Sequence, residues 1–191
     1  VDMYSYLIKN RKIEYEGFLS LETATIQVLD EDGKEKLSAR RDRTLRPDSS
    51  AVLIYNRDRD AFVFTNQFRY PVSRETPHFM LEIPAGGIEP NESADAAAKR
   101  EVREEVGYTC RLLEKIAAVY SSPGTTSECV HIFFAEVSDD NRVEKGGGKI
   151  SESEIINIKY IDRQDLISNY LGLTDAKSLI AVQWFIQHKA R

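Results

Sequence analysis

The stretch that decides the fold is Gly86-Gly-Ile-Glu-Pro-Asn-Glu-Ser-Ala-Asp-Ala-Ala-Ala-Lys-Arg-Glu-Val-Arg-Glu-Glu-Val-Gly-Tyr108. Its middle is rich in alanine, lysine, arginine and glutamate, so we predict a helix from Ser93 to Val106 that ends at Gly107. The glycines at its start allow the backbone to approach a ligand closely. The sequence therefore predicts a close-fitting loop followed directly by a charged helix.

Three glutamates of this helix, Glu101, Glu104 and Glu105, are spaced so that they share one face. Each like-charged pair costs roughly a few tenths of a kcal/mol, and more when partly buried, unless a cation lies among them. Hard divalent cations prefer oxygen ligands, and Mg²⁺ commonly combines carboxylates with substrate phosphates. Taken alone, the triplet is more typical of a solvated surface helix. Glu92 can pair with Arg100 and so attach the loop to the helix.

The whole stretch resembles the Nudix box, in which glycine, glutamate, Arg-Glu, Glu-Glu and glycine occur at fixed spacing. The matching residues are Gly86, Glu92, Arg100, Glu101, Val102, Glu104, Glu105, Gly107 and Tyr108. Tyr108 departs mildly from the pattern, because the box has an aliphatic residue there. A chance match in such a chain has a probability of roughly one in ten million. The resemblance implies an α/β fold, the Nudix α/β/α sandwich, with the box as a loop-helix-loop.

The resemblance also implies a chemistry, metal-dependent hydrolysis of a diphosphate by water. It implies that Glu101 and Glu105 are the main metal ligands, and Glu105 is counted among the catalytic residues. Glu104 would be a supporting ligand, directly or through water, and the carbonyl of Ala85 a further one. The metal implied is Mg²⁺, for which Mn²⁺ can substitute.

Further segments resemble the branch of ADP-ribose pyrophosphatases and nucleotide-sugar diphosphatases. They are residues 80–89, Pro123 sixteen residues beyond Gly107, and residues 146–155 together with 181–184. The implied reaction converts ADP-ribose or a related nucleotide sugar into a nucleoside monophosphate and a sugar phosphate. Taken alone, Pro123 is more typical of an ordinary Pro-Gly turn. Within the resemblance Pro123 favours ADP-ribose, whereas the three glycines at 146–148 favour GDP-mannose or a UDP-sugar. A non-catalytic nucleotide-binding regulator is a further alternative, disfavoured because a pure binder needs no anionic metal cage.

Two arginines, Arg46 and Arg69, occupy positions where this group tends to place contacts to phosphate or ribose. A guanidinium binds phosphate oxygens in a bidentate manner. The alternative for each is an exposed arginine in a surface ion pair. An aromatic residue near the N-terminus, Phe18 or Tyr15, is a candidate for stacking on the base.

The group that activates the water is expected outside the box. Glu152 and Glu154 follow three glycines, whose backbone freedom makes this loop a candidate lid. We favour Glu152, because Glu154 adjoins Ile155 at the start of a predicted strand. Two solvated loop glutamates remain the alternative. Glu128, beyond the Pro123 turn, is a weaker rival and a candidate substrate contact.

The rest of the chain divides by pattern into two predicted domains. Residues 1–48 read as a small antiparallel β unit with a hairpin turn at Asp30–Gly33. Residues 49–191 read as the Nudix domain, with further strands and two terminal helices over 163–170 and 175–189. In the group it resembles, the N-terminal unit is exchanged between the subunits of a homodimer. We therefore expect a homodimer here.

Charge and composition limit the partners. With 26 basic and 31 acidic side chains the net charge is -5, which argues against nonspecific nucleic-acid binding. No apolar run approaches the roughly 18 residues of a membrane span, and the N-terminus lacks a secretory pattern. Cys110 and Cys129 belong to no metal-binding spacing, so we expect free thiols and a cytoplasmic location, although a disulfide between them is possible.

Overall fold

The computed structural model describes residues 3–74, 77–149, 151 and 154–190. The chain divides into two compact units, residues 1–47 with 122–128, and residues 48–121 with 129–191. The sequence places the division after residue 48 and assigns 122–128 to the second domain. In the structure, segment 122–128 joins the first unit through backbone hydrogen bonds. Thr44 donates to the carbonyl of Thr125 at 2.8 Å, and Ser127 donates to that of Thr44 at 3.1 Å.

The first unit contains an antiparallel sheet, as the sequence predicts. Among the described residues its strands are β1 (Ser5–Glu16), β2 (Ser20–Leu29) and β3 (Glu35–Leu45), in the order β1-β2-β3. The predicted hairpin turn is confirmed, because the Gly33 N–H donates to the carbonyl of Asp30 at 3.0 Å. β1 is one long strand that is exposed at every position.

The second unit is built around a mixed sheet. Its described strands are β4 (Ser49–Asn56), β5 (Ala61–Phe68), β6 (Phe79–Glu82), β7 (Ala85–Gly87), β8 (Glu114–Tyr120), β9 (Cys129–Val137) and β10 (Asn157–Asp162). The order is β10-β5-β4-β9-β8, with β6 paired to β5 and β7 paired to β4. Strands β4 and β9 run parallel, and the other neighbouring strands run antiparallel. β6 precedes the box in the chain, and β7 contains its first residue, Gly86.

Helices cover both faces of this sheet. They are α1 (Ala94–Glu101), which continues as a π-helical turn over Val102–Val106, α2 (Arg163–Asn169) and α3 (Ala176–His188). β4 is central because it is buried on both sides, with Leu53 in the core that α2 and α3 cover and Val52 in the core that α1 covers. The α/β/α sandwich expected from the sequence is confirmed.

Helix α1 begins and ends as its sequence predicts. The Ser93 side chain accepts a hydrogen bond from the Ala96 N–H at 3.2 Å, which caps the first turn. Gly107 ends the helical segment in the left-handed conformation, with φ of 78°.

No helix in the described part of the chain is long and apolar enough to cross a membrane.

Candidate active site

The backbone that enters the box is fixed from two sides. The Ile83 N–H donates to the Ser178 hydroxyl of α3 at 2.9 Å. The Pro84 carbonyl accepts from the Val52 N–H of β4 at 2.9 Å, and β7 pairs with β4 immediately afterwards. These bonds hold Ala85, a predicted metal ligand, at a defined place beside Ala51 of β4.

Arg100 attaches the loop of the box to its helix, as the spacing predicts. Its Nε and Nη2 donate to the two carboxylate oxygens of Glu92, each at 3.0 Å. Nη2 also donates to the carbonyl of Gly87 at 2.8 Å. Hydrogen bonding from Arg100 holds the pKa of Glu92 below its ordinary value. The predicted Glu92–Arg100 pair is therefore confirmed, and its role is to fix the loop.

Two of the three carboxylates predicted to bind metal are buried. Glu101 is 8% exposed and accepts from Arg100 at 2.6 Å, and Glu105 is 2% exposed and accepts from the Ala85 N–H at 3.0 Å. Burial raises the pKa of Glu101, despite Arg100. Burial, and after it the charge of Glu101, raises the pKa of Glu105 well above its ordinary value. The protein thus keeps two carboxylates close together with incomplete compensation of their charge.

The first glycine of the box is required by close approach. A Cβ atom added at Gly86 would overlap the carboxylate of Glu101. Any larger residue would therefore push either the turn or Glu101 away. Gly86 lets the backbone after Ala85 lie directly against a buried acid.

Glu104 differs from its two neighbours. Its side chain is 21% exposed, and its oxygens contact Lys149 at 2.6 Å and Arg100 at 3.4 Å. Among the described residues no three His, Cys, Asp or Glu side chains are arranged to hold a metal ion as they stand. Glu101 and Glu104 are turned towards cationic side chains instead. Nevertheless the donor set fits a hard divalent ion, because two buried carboxylates with raised pKa values lie beside Ala85.

The three glycines of the later loop are bound to the end of this helical segment. Gly146, Gly147 and Gly148 all have positive φ, of 69°, 110° and 77°. The Gly147 N–H donates to the carbonyl of Glu105 at 2.8 Å, and the Gly148 N–H donates to that of Glu104 at 3.3 Å. The glycines that we interpreted as a source of lid motion therefore also cap the helical segment that carries the acids.

Of the two candidate bases after these glycines, the structure describes one, Glu154. Glu152 lies outside the described residues. The Glu154 N–H donates to the carbonyl of Lys149 at 3.0 Å. After burial and Glu101, the charge of Glu154 also contributes to the raised pKa of Glu105. Glu154 therefore lies in the electrostatic environment of the predicted metal ligands.

Arg69 belongs to the same environment, and its partner is a buried acid. Its Nε and Nη2 donate to the oxygens of Glu82 at 2.7 and 3.2 Å. Lys177 of α3 contacts Glu82 at 2.5 Å. Burial would raise the pKa of Glu82, but Arg69 and Lys177 outweigh it and hold the pKa below its ordinary value. The sequence signal for this cluster is a single acid in the apolar segment 79–83.

The remaining predicted contacts lie in the first unit. The Arg46 N–H donates to the Ser127 hydroxyl at 3.0 Å, and its guanidinium lies 5.2 Å from the centre of the Phe18 ring. Phe18 is 92% exposed. The Glu128 N–H donates to the Thr126 hydroxyl at 3.2 Å. The structure thus groups Arg46, Phe18 and Glu128 in one unit, and Arg69 with the box glutamates in the other.

Comparison with known proteins decides the family. The NUDIX domain family profile matches residues 45–183. The chain belongs to the Nudix family. This Nudix hydrolase is 30% identical to the GDP-mannose pyrophosphatase of Cronobacter sakazakii over 179 residues, which cover 93% of this chain and 92% of the relative. It is also 30% identical to the ADP-ribose pyrophosphatase of Bacillus subtilis over 182 residues, with coverage of 93% and 92%.

A solved structure has the same fold as this Nudix hydrolase. The structure described as an ADP compounds hydrolase superposes with a TM-score of 0.73 at 18% identity, covering 95% of this chain and 92% of the other. The Nudix fold predicted from the box is therefore confirmed. The predicted relationship to ADP-ribose and GDP-mannose pyrophosphatases is confirmed by the two sequence relatives.

Proposed function

We propose that this Nudix hydrolase cleaves the diphosphate bond of ADP-ribose or a related nucleotide sugar, giving a nucleoside monophosphate and a sugar phosphate. The observation that carries the proposal is the buried pair Glu101 and Glu105 beside the close turn at Gly86. The names of two relatives at 30% identity, for ADP-ribose and for GDP-mannose, support this substrate class.

Glu101, Glu105 and the carbonyl of Ala85 would hold the divalent ions, Mg²⁺ with Mn²⁺ as a substitute, and Glu104 would support them. Such ions polarise phosphoryl oxygens and lower the pKa of a bound water. The chain itself orients these ligands. The Ala85 N–H fixes one oxygen of Glu105, and Arg100 fixes one oxygen of Glu101.

Substrate contacts are proposed for Arg69 and Arg46. Glu82 fixes the plane of the Arg69 guanidinium through two hydrogen bonds, which supports a role in orienting phosphate oxygens. Arg46 lies over the ring of the exposed Phe18. A flat, exposed aromatic ring with a guanidinium beside it is suited to stacking on a nucleobase.

For the general base we propose Glu152, with Glu154 as the alternative and Glu128 as a weaker one. A base must be acidic and able to reach the water that attacks phosphorus. Supporting the choice of this segment, the Gly147 and Gly148 N–H groups donate to the carbonyls of Glu105 and Glu104, and the charge of Glu154 contributes to the raised pKa of Glu105.

The runner-up function is hydrolysis of GDP-mannose or a UDP-sugar by the same site. It is favoured by the GDP-mannose pyrophosphatase relative and by the three-glycine loop. A non-catalytic nucleotide-binding role is the third possibility. Two buried carboxylates with raised pKa values speak against it, since they would repel an anionic ligand unless cations were bound.

A substrate panel separates these functions. Purified protein with Mg²⁺ is given ADP-ribose, GDP-mannose and a UDP-sugar, and a coupled phosphatase releases phosphate from the products. We expect turnover with at least one of them, none in excess EDTA, and recovery with Mg²⁺ or Mn²⁺. Binding of a nucleotide sugar without any phosphate release would favour the regulator. Full activity in excess EDTA would exclude the metal mechanism.

We also propose a homodimer in a reducing compartment such as the cytoplasm, with no nucleic-acid partner. Cys110 and Cys129 are both free thiols, which supports the reducing compartment. Exposed apolar side chains on β1 and β3, among them Tyr6, Ile8 and Leu37, support an assembly that covers them.

A further inference from the structure

The three carboxylates of the box helix carry unequal numbers of protein cations. Glu104 contacts two, Lys149 at 2.6 Å and Arg100 at 3.4 Å. Glu101 contacts Arg100 at 2.6 Å. Glu105 accepts a backbone N–H from Ala85. Glu104 thus has the most positive partners of the three acids. It is also the most exposed of them, so it lies at the edge of the predicted metal site.

Lys149 is held at this place by its backbone. It follows Gly148, whose N–H donates to the carbonyl of Glu104 at 3.3 Å. The main chain before Lys149 and the Lys149 ammonium thus attach to the same residue. Glu104 and Lys149 also line an open cavity of about 530 Å³. Because the lysine is 38% exposed, its ammonium can leave Glu104 for solvent without burying a charge.

An ammonium on Glu104 and a divalent ion beside it oppose each other for two reasons. The ammonium occupies the oxygen Oε1 that a metal would use as a ligand. Its positive charge also repels a second cation at short range, where the separation is well within the Debye length. We propose that Lys149 is a positioning residue, a tethered counter-ion that competes with the divalent metal for Glu104. This inference rests on the metal site of the proposed function.

The competition assigns different roles to the three acids. Glu101 and Glu105 provide the metal affinity, and Glu104 is the acid that pairs with the Lys149 ammonium. Glu104 binds metal only when Lys149 releases its carboxylate. The fraction of Glu104 bound to metal therefore depends on the metal concentration. An ordinary surface ion pair would instead affect folding stability slightly and leave metal affinity unchanged.

The test measures Mn²⁺ binding to the full chain by the loss of the free-ion EPR signal, without substrate. The proteins are the wild type, Lys149→Met, Lys149→Arg and the control Lys145→Met, which removes a lysine from the same loop. Lys145 is exposed and makes no ion pair with the described residues. We expect Lys149→Met to bind Mn²⁺ roughly threefold to tenfold more tightly, as loss of one competing ion pair and one like charge would give. Lys149→Arg and Lys145→Met should match the wild type.

Each outcome has a defined meaning once melting curves show that the variants fold. Equal or weaker binding by Lys149→Met overturns the inference and leaves the proposed function intact. Equal tightening by Lys145→Met also overturns it, because the effect would then reflect net charge alone. If the wild type binds no Mn²⁺ at millimolar concentration, the proposed metal site fails and the inference with it.

Discussion

Glu105 is the residue on which charge and packing can be separated most clearly. It is 2% exposed, and one of its oxygens accepts the Ala85 N–H. A glutamine keeps the size and can still accept that hydrogen bond. What it loses is the negative charge that a divalent ion would need.

We therefore predict that Glu105→Gln lowers turnover by roughly a hundredfold or more, as expected when a group that stabilises the transition state through a metal is removed. Its thermal stability should equal or exceed that of the wild type, because a buried like charge beside Glu101 is removed. The measurements are steady-state kinetics at saturating Mg²⁺ and a melting curve. Glu136→Gln, the same change at an exposed strand position, is the control. A variant with wild-type turnover would remove Glu105 from the mechanism.

The identity of the general base is also decided at the level of single residues. We predict that Glu152→Gln slows the chemical step by roughly a hundredfold with little change in substrate affinity. Glu154→Gln and Glu128→Gln are the matched comparisons, measured by single-turnover hydrolysis at saturating Mg²⁺. If Glu152→Gln keeps the wild-type rate while one of the others loses it, that other residue is the base. If all three keep it, the metals alone activate the water.

Between strand β6 and helix α3, a cluster of charges fixes the entrance to the box. Glu82 is 4% exposed and is shared by Arg69 and Lys177. Replacing it by glutamine would take the carboxylate away from the Arg69 guanidinium and leave Lys177 with Asp175, which it contacts at 3.0 Å. Removing one partner of a buried ion pair is strongly destabilising.

We predict that Glu82→Gln lowers the free energy of unfolding at pH 7 by about 3 kcal/mol. Because the folded pKa of Glu82 lies below its ordinary value of 4.5, its contribution is fully present above that value. It is lost as the pH falls through the lower folded pKa. Denaturant unfolding at pH 7, 5 and 3.5 would show the difference from the wild type shrinking only at the lowest pH. A difference that does not change with pH would contradict the assignment to this ion pair.

Elements that depend on local patterns could be predicted from the sequence. The box helix, its cap at Ser93, the hairpin at Gly33 and the Glu92–Arg100 pair all follow from residues close in the chain. β7 could not be predicted, because its three residues Ala-Gly-Gly have no strand pattern and owe their conformation to pairing with β4. Contacts that only the tertiary fold creates could not be predicted from the sequence either.

Within the site, the sequence identified the acids but not their surroundings. Helical spacing places Glu101, Glu104 and Glu105 together, and they do lie on one helical segment. The contact of Lys149 with Glu104 joins residues far apart in the chain, and no spacing rule predicts it. The π-helical turn over residues 102–106 could not be predicted from the sequence either. Such turns are frequent at functional sites.

The sheet of the first unit exposes an apolar face. Cross-strand pairing puts Tyr6, Val28 and Leu37 side by side on one face of its sheet, with Ile8 and Ile26 as the next pair along the strands. Tyr6 is 65% exposed, Ile8 53% and Leu37 50%. An isolated small sheet with an exposed apolar face is marginally stable and is a candidate for association. A second copy of the chain is the occupant that we propose.

We therefore predict a homodimer in which these strands cover the partner's active site. Leu37→Asp places a charge on the apolar face, whereas Ser38→Asp places the same charge at the adjacent position, which points to the opposite face of the strand. We expect the wild type and Ser38→Asp to sediment as dimers at micromolar concentration. Leu37→Asp should sediment as a monomer with greatly reduced turnover, while its Mn²⁺ binding persists, because the predicted metal ligands lie in the second unit. A wild type that sediments as a fully active monomer would exclude the swapped arrangement. If Leu37→Asp is a monomer with full activity, the wild-type dimer contributes nothing to the active site.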